Sequence, residues 1–200
     1  MNFGFFLTAG WYQVDFNPVI NAFTSRGYEV GEFNRVILGL SGYILWDNFV
    51  FVGNWFRFIG VEGISENKRV YFNNMVFSGD VGYVLYHNNL RERRFMVYPS
   101  FGVGYSRFEV KGGVIENTNF NDLLENPQQS IYINHSQYIG IIALRGHFDF
   151  GFNLGLGFGY TFPIFKGKWD TDFGEVYNAP DVDSKGLFGQ IMVGFATDKW

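Results

Sequence analysis

Two hundred residues make one ordinary domain, enough chain for a core and too little for a multidomain enzyme. Aromatic residues supply 21% of the chain and glycine 26 positions, which excludes disorder, while a net charge of −4 argues against a partner held by positive charge, such as nucleic acid or an anionic membrane surface. With no cysteine, disulfides, thiolate nucleophiles and zinc-thiolate centres are excluded as well.

The opening residues, Met1 to Phe5, have neither the basic start nor the apolar run of a cleavable leader. Either the protein is cytosolic, or a leader has been replaced by the start Met. The charge-free run over 36–46 is shorter than the roughly 20 apolar residues of a spanning helix. Apolar residues recur instead at every second position, the period of a strand.

The first strand sets Phe3, Phe5, Leu7, Ala9 and Trp11 on one face, with Gly4, Phe6, Thr8, Gly10 and Tyr12 on the other. The second sets Val36, Leu38, Leu40, Gly42 and Ile44 against Arg35, Ile37, Gly39, Ser41 and Tyr43. The third, 49–58, is apolar on both faces; Asn54 is placed inward because an outward amide at mid-depth would lie unpaired in hydrocarbon. In the fourth, Met75, Phe77, Val81, Tyr83 and Leu85 oppose Asn74, Val76, Ser78, Asp80 and Val84, so Asp80 points inward.

The fifth strand sets Val97, Pro99, Phe101, Val103 and Tyr105 against Tyr98, Ser100, Gly102, Gly104 and Ser106. Tyr138, Ile142 and Leu144 face out of the sixth, and Gln137, Ile139, Ile141, Ala143 and Arg145 face in. The seventh is the clearest, with Phe152, Leu154, Leu156, Phe158, Tyr160 and Phe162 against Asn153, Gly155, Gly157, Gly159, Thr161 and Pro163. The eighth turns Leu187, Gly189, Ile191, Val193 and Phe195 out and Phe188, Gln190, Met192 and Gly194 in.

A soluble sheet would oppose its apolar face with charged and hydroxyl side chains, not with glycine. A small membrane barrel inverts that logic, giving large apolar residues to lipid and small or polar ones to a crowded lumen. Eight strands of about nine to eleven residues, the length of a tilted membrane strand, follow. The connections over 13–32, 60–69, 109–136 and 166–185 are long and alternate with short ones at 46–48, 87–94 and 147–151. Short turns on one side and long loops on the other are the asymmetry of outer-membrane barrels, and an even strand count puts both termini at the short-turn, periplasmic end. The longer loops total −7 and the 87–94 turn carries +2. Aromatics gather at both rims: Trp11, Trp55, Tyr71, Tyr105, Tyr138 and Phe162 at one, Trp46, Tyr83, Tyr86, Phe95, Phe148 and Phe152 at the other.

In this arrangement the chain resembles the eight-stranded outer-membrane barrels typified by the OmpA transmembrane domain, OmpX and OmpW. Tyr98-Pro99-Ser100-Phe101-Gly102-Val103-Gly104-Tyr105 looks like the proline-then-glycine strand of these barrels, and the run from Leu187 to Phe195 like their closing strand. The resemblance implies an all-β, eight-stranded, antiparallel, up-and-down transmembrane β-barrel of the bacterial outer membrane, spanning residues 1–200 as one domain. It also implies the bilayer as partner, the barrel-assembly machinery engaging a C-terminal strand that ends at Phe195, and other outer-membrane proteins as further partners. The chain departs from the pattern in the five residues after Phe195, which leaves both Phe195 and Trp200 as candidate assembly aromatics.

Of the chemistry-bearing residues, Gly155-x-Gly157-x-Gly159 lacks the following helix that phosphate binding needs and reads as lumen packing. Asp80 and Arg145 are inward charges on strands four and six, separated by the small lumen residues of strand five. They are expected to form an ion-pair network with Asn54, Gln190 and Arg35 as neighbours, because an isolated charge in the lumen is costly. His135-Ser136 is the tempting catalytic pair, but adjacent strand residues face opposite ways. The run from Asn121 to Pro127 reads as a single capped helical turn, and Asp170, Asp172, Asp181 and Asp183 fit no calcium-loop spacing. No cofactor, metal or catalytic residue is expected. A closed-lumen, non-enzymatic role in structure, surface interaction or an outer-membrane complex is the main expectation. The rivals are a narrow conduit for small hydrophobic molecules, which Phe6, Tyr12, Phe56, Phe108 and Phe188 leave open, and a lipid-modifying enzyme. A lipocalin-type barrel would enclose the Phe and Leu rows, against the placement of charge.

Overall fold

Each residue row that alternates apolar with small or polar side chains is a strand in the computed structural model, which describes residues 2–31, 35–66, 68–90, 93–114, 130–149, 151–171 and 174–197. Eight long strands form a ring: β1 (Asn2–Tyr12), β3 (Val36–Trp46), β4 (Phe49–Phe58), β6 (Lys68–Tyr83), β8 (Arg93–Val114), β9 (Ser130–Asp149), β10 (Asn153–Thr171) and β12 (Gly186–Ala196). Every one pairs antiparallel with the next, and β12 pairs back onto β1, so the sheet closes. Short strands β2 (Glu29–Val30), β5 (Val61–Ser65), β7 (Tyr86–Leu90) and β11 (Gly174–Val176) border the ring, and the helix α1 (Asn17–Thr24) follows β1.

Register fixes the barrel's shape. Partners followed once around run from Asn2 through Leu45, Val50, Gly82, Ser100, Ala143, Gly159 and Phe188 to Tyr12, so the walk that begins at position 2 returns at position 12 of the same strand. A stagger of that size around eight strands tilts them by roughly 40° from the axis, given about 3.3 Å per residue and about 4.7 Å between strands.

The facing expected for the strands holds, except at Arg35, which lies ahead of β3. Phe3, Phe5, Leu7, Leu38, Phe51, Phe77, Val81, Phe101, Val103, Ile142, Leu144, Phe158 and Ile191 are exposed on the outside, whereas Phe6, Thr8, Ser41, Asn54, Asp80, Ser100, Ala143, Arg145 and Gln190 are buried inside. Strand β4, ambiguous in sequence, faces Val50, Val52, Asn54, Phe56 and Phe58 inward.

Side chains occupy the lumen in three layers. At the short-turn end Phe6, Tyr43, Leu45, Val50, Val52, Met96, Tyr98 and Met192 form an apolar cluster. A polar belt lies above it. A second, larger apolar cluster fills the other end, where Tyr12, Phe58, Phe72, Phe108, Val110 and Trp169 meet Phe16 and Val19 of the α1 segment and Val182 of the 177–185 connection. Phe16 stacks on Phe108 with ring centres 4.7 Å apart.

Expectations about the connections are corrected: 60–69 contains β5 and the start of β6, 87–94 contains most of β7 and the start of β8, and β9 continues into 147–151 as far as Asp149. The segments 109–136 and 166–185 are not wholly loops: β8 continues to Val114, β9 begins at Ser130 and β10 runs to Thr171. The 13–32 connection contains α1, whose chain entry is set by Asp15 Oδ1 accepting from the Asn17 amide (3.0 Å) and by a proline in its first turn. The helical turn expected at Asn121 to Pro127 lies outside the described residues, as do Asp172 and Trp200.

Candidate functional site

Three strands, β6, β8 and β9, build the charged part of the polar belt. Arg145 of β9 donates through Nη2 to the Asp80 carboxylate of β6 and through Nε to Ser100 Oγ of β8 (3.2 Å), and both charged side chains are almost wholly buried. Strand β8 runs between them, and a Cβ at Gly102 would collide with the Asp80 carboxylate. Glycine there lets the carboxylate reach across its neighbouring strand. A burial this complete is tolerable because each charge is compensated by the other.

Asn54 lies in a second hydrogen-bonded set. Thr8 Oγ1 donates to Ser41 Oγ (2.8 Å), Ser41 Oγ donates to Asn54 Oδ1 (2.9 Å), and Asn54 Nδ2 donates to Ser78 Oγ (3.0 Å). This chain crosses β1, β3, β4 and β6 at one level. Gln190 is buried on the lumen side of β12, and its Nε2 contacts Met192 Sδ at 3.6 Å. Arg35 is a correction: instead of pointing into the lumen it is exposed ahead of β3, lining an open niche beside α1 with Lys185 and Tyr160.

The sequence pattern puts His147 in a turn, yet β9 continues through it, and two residues past Arg145 it faces inward again. It bonds Tyr98 Oη at 2.9 Å and lies against Phe6 and Tyr43. Continuing the alternation by one step was the signal that would have found it. His135 and Ser136 do face opposite sides: His135 is buried, and Ser136 Oγ is bonded to Tyr105 Oη on the outside (2.6 Å).

With this geometry in place, the chain was compared with known proteins. No family model matches it, and no curated protein matches it. Among solved structures it is similar to Ail, the attachment invasion locus protein of Yersinia pestis, over 98% of this chain and 95% of that one, with 13% identity and a TM-score of 0.43.

A third polar group, at the mouth, escaped the sequence reading because it is assembled by the 177–185 connection. Gln137 of β9 grips that connection at two points: its Nε2 donates to the Val182 carbonyl, and its Oε1 accepts the Ser184 amide (3.0 Å). Ser184 Oγ donates to Ser106 Oγ (3.1 Å), and Tyr12 Oη and Thr161 Oγ1 both donate to the Ser184 carbonyl (2.9 and 2.7 Å). Trp169 Nε1 donates to the Pro180 carbonyl (2.7 Å). Lys166 pairs with Asp181 (2.9 Å) and lies 3.7 Å from Asp183; the hydrogen bond to Asp181, ahead of other influences, raises the Lys166 pKa. The connection is thus a strap laid across the mouth and fixed from four strands, β1, β8, β9 and β10.

Proposed function

We propose that the protein is a non-enzymatic barrel of the bacterial outer membrane, with a closed lumen, whose long-armed mouth serves surface interaction or assembly into a larger outer-membrane complex. The observation that carries this reading is the outer wall. Exposed Phe, Leu, Ile and Val side chains surround the closed ring between Trp46, Tyr83 and Phe152 toward one end and Trp11, Trp55 and Tyr138 toward the other. A continuous apolar belt is far larger than the few hundred Å² that soluble monomers expose, and it matches what acyl chains cover.

The three filled layers support a closed lumen, since eight strands leave an interior that side chains can occupy; the mid-lumen void between Asn54, Phe56, Arg145 and Phe188 is about 20 Å³. The bonding of His135 to Gln137 and of His147 to Tyr98 supports a role without Ser–His chemistry. Phe195, 80% exposed near the end of β12, supports that strand as the segment engaged by the assembly machinery.

Refolding with and without amphiphile tests the reading. The chain is expected to become folded and monodisperse only in micelles or bilayers, to pass no steady ion current in a planar bilayer, and to release no acyl chain from labelled phospholipid or lipid A. A folded, monodisperse species in plain buffer overturns the membrane assignment; a sustained current overturns the closed lumen, and acyl release the non-enzymatic role.

A further inference from the structure

We propose that His135 and Gln137 form a proton-operated latch that holds the 180–184 strap across the mouth at neutral pH and releases it in acid. The inference rests on the two-point grip of Gln137. Because the Ser184 amide can only donate and the Val182 carbonyl can only accept, the orientation of the Gln137 amide is set by the backbone, with Oε1 toward Ser184 and Nε2 toward Val182. The same Nε2 lies 2.9 Å from His135 Nε2. An amide nitrogen has no lone pair to offer, so His135 Nε2 must be the acceptor and the ring must be neutral, with its proton on Nδ1.

A second proton enters at Nε2 and sets two donors against each other. Turning the Gln137 amide over relieves that clash, but it then places Oε1 against the Val182 carbonyl and Nε2 against the Ser184 amide. One proton therefore removes both Gln137 bonds to the strap.

The surroundings set the direction. Burial, the largest influence, holds the His135 pKa below its ordinary 6.5, and the Lys166 ammonium acts in the same sense. The Lys168 carbonyl and the carboxylates of Asp181 and Asp170 act against it. The inner face of the neighbouring β8 presents Phe108 opposite His135, while Arg107 and Glu109 of that strand are paired with each other and with Tyr132. Trp169 of β10 stacks on the imidazole at 5.2 Å, and α1 carries no ionisable side chain. Since the docked state depresses the pKa of a base, its extra stability is complete above the undocked value near 6.5 and is lost as pH falls through the docked value.

Hydrogen exchange on the full chain in lipid nanodiscs at about pH 7.5 and about pH 5, corrected for intrinsic rates, tests the latch. Protection over 180–184 is expected to fall by roughly tenfold or more in acid, the factor that one unit of differential proton affinity supplies. His135→Phe keeps the ring stack without a proton site, and His135→Gln serves where the phenyl variant does not fold; either is expected to hold protection constant between the two pH values. Gln137→Leu is expected to show the acid level of protection there already at neutral pH. Wild-type protection that ignores pH overturns the proposal, and so does an equal acid loss in the His135 variants, which would assign the release to Asp181 and Asp183.

Discussion

Asp80 and Arg145 illustrate how far a single residue's environment is set by the period of its strand. Two-residue alternation placed both inward although 65 positions separate them in sequence, and the glycines of β8 left the space between them open. Removing one partner leaves the other charge buried and uncompensated, so Asp80→Ala is expected to cost about 3–5 kcal/mol, read by urea unfolding in micelles. Asp80→Ala combined with Arg145→Met is expected to recover most of that loss, because the desolvation cost disappears with the second charge. A double variant as weak as the single one would show that the pair's hydrogen bonds, not its charge balance, matter most. The alternation misplaced Arg35 for a physical reason: it precedes the first paired residue of β3, where no side-chain pair across the ladder fixes its facing.

Among the elements, the long strands were legible to their rims and no further. Above the rim the apolar residues change faces. On β6, Phe77 and Val81 point outward below, while Val70 and Phe72 point inward above; on β8, Phe101 and Val103 point outward below, while Phe108 and Val110 point inward above. On the proposed membrane reading the cause is the outer medium: hydrocarbon selects apolar side chains on the outside, water selects them on the inside, and the backbone ladder continues through the change. A reading that ends each strand where its outward apolar row ends must cut the strand short there. Helix α1 was missed for a related reason, since eight residues carry little periodicity and its apolar side is completed only by packing under β4, β6 and β8. Its leading Phe16 lies between Phe58 and Phe108, so Phe16→Ala is expected to empty the centre of the mouth cluster, costing about 3–5 kcal/mol of local stability. The measurable result is faster amide exchange across 16–24 with unchanged protection in the lower strands; uniform loss over the whole barrel would mean that mouth and ring unfold as one unit.

For the molecule as a whole, on the proposed membrane reading the face change marks where lipid ends, and barrel geometry allows the height between the two limits to be worked out. On β8 the outward apolar series runs from Phe95 to Tyr105, position 95 to position 105, and Arg107 and Lys111 follow on the same outer side. Ten steps at about 3.3 Å, on a strand tilted by roughly 40°, rise by about 25 Å along the axis, the height of the apolar band in outer-membrane barrels. Nitroxide labels on β8 test this directly in reconstituted bilayers. Labels replacing Phe101 and Val103 are expected to be relaxed by oxygen and shielded from a water-soluble nickel complex, and a label at Lys111 is expected to show the reverse, with the crossover near Tyr105 and Arg107. The same crossover should fall beside Tyr138 on β9, because Tyr105 and Tyr138 are direct ladder partners with ring centres 5.7 Å apart. A crossover displaced toward Lys111 on both strands would put Arg107 and its Glu109 and Tyr132 contacts inside the hydrocarbon, where exposed charge is expensive, and would require the mouth cluster and its strap to lie below the water surface instead of above it.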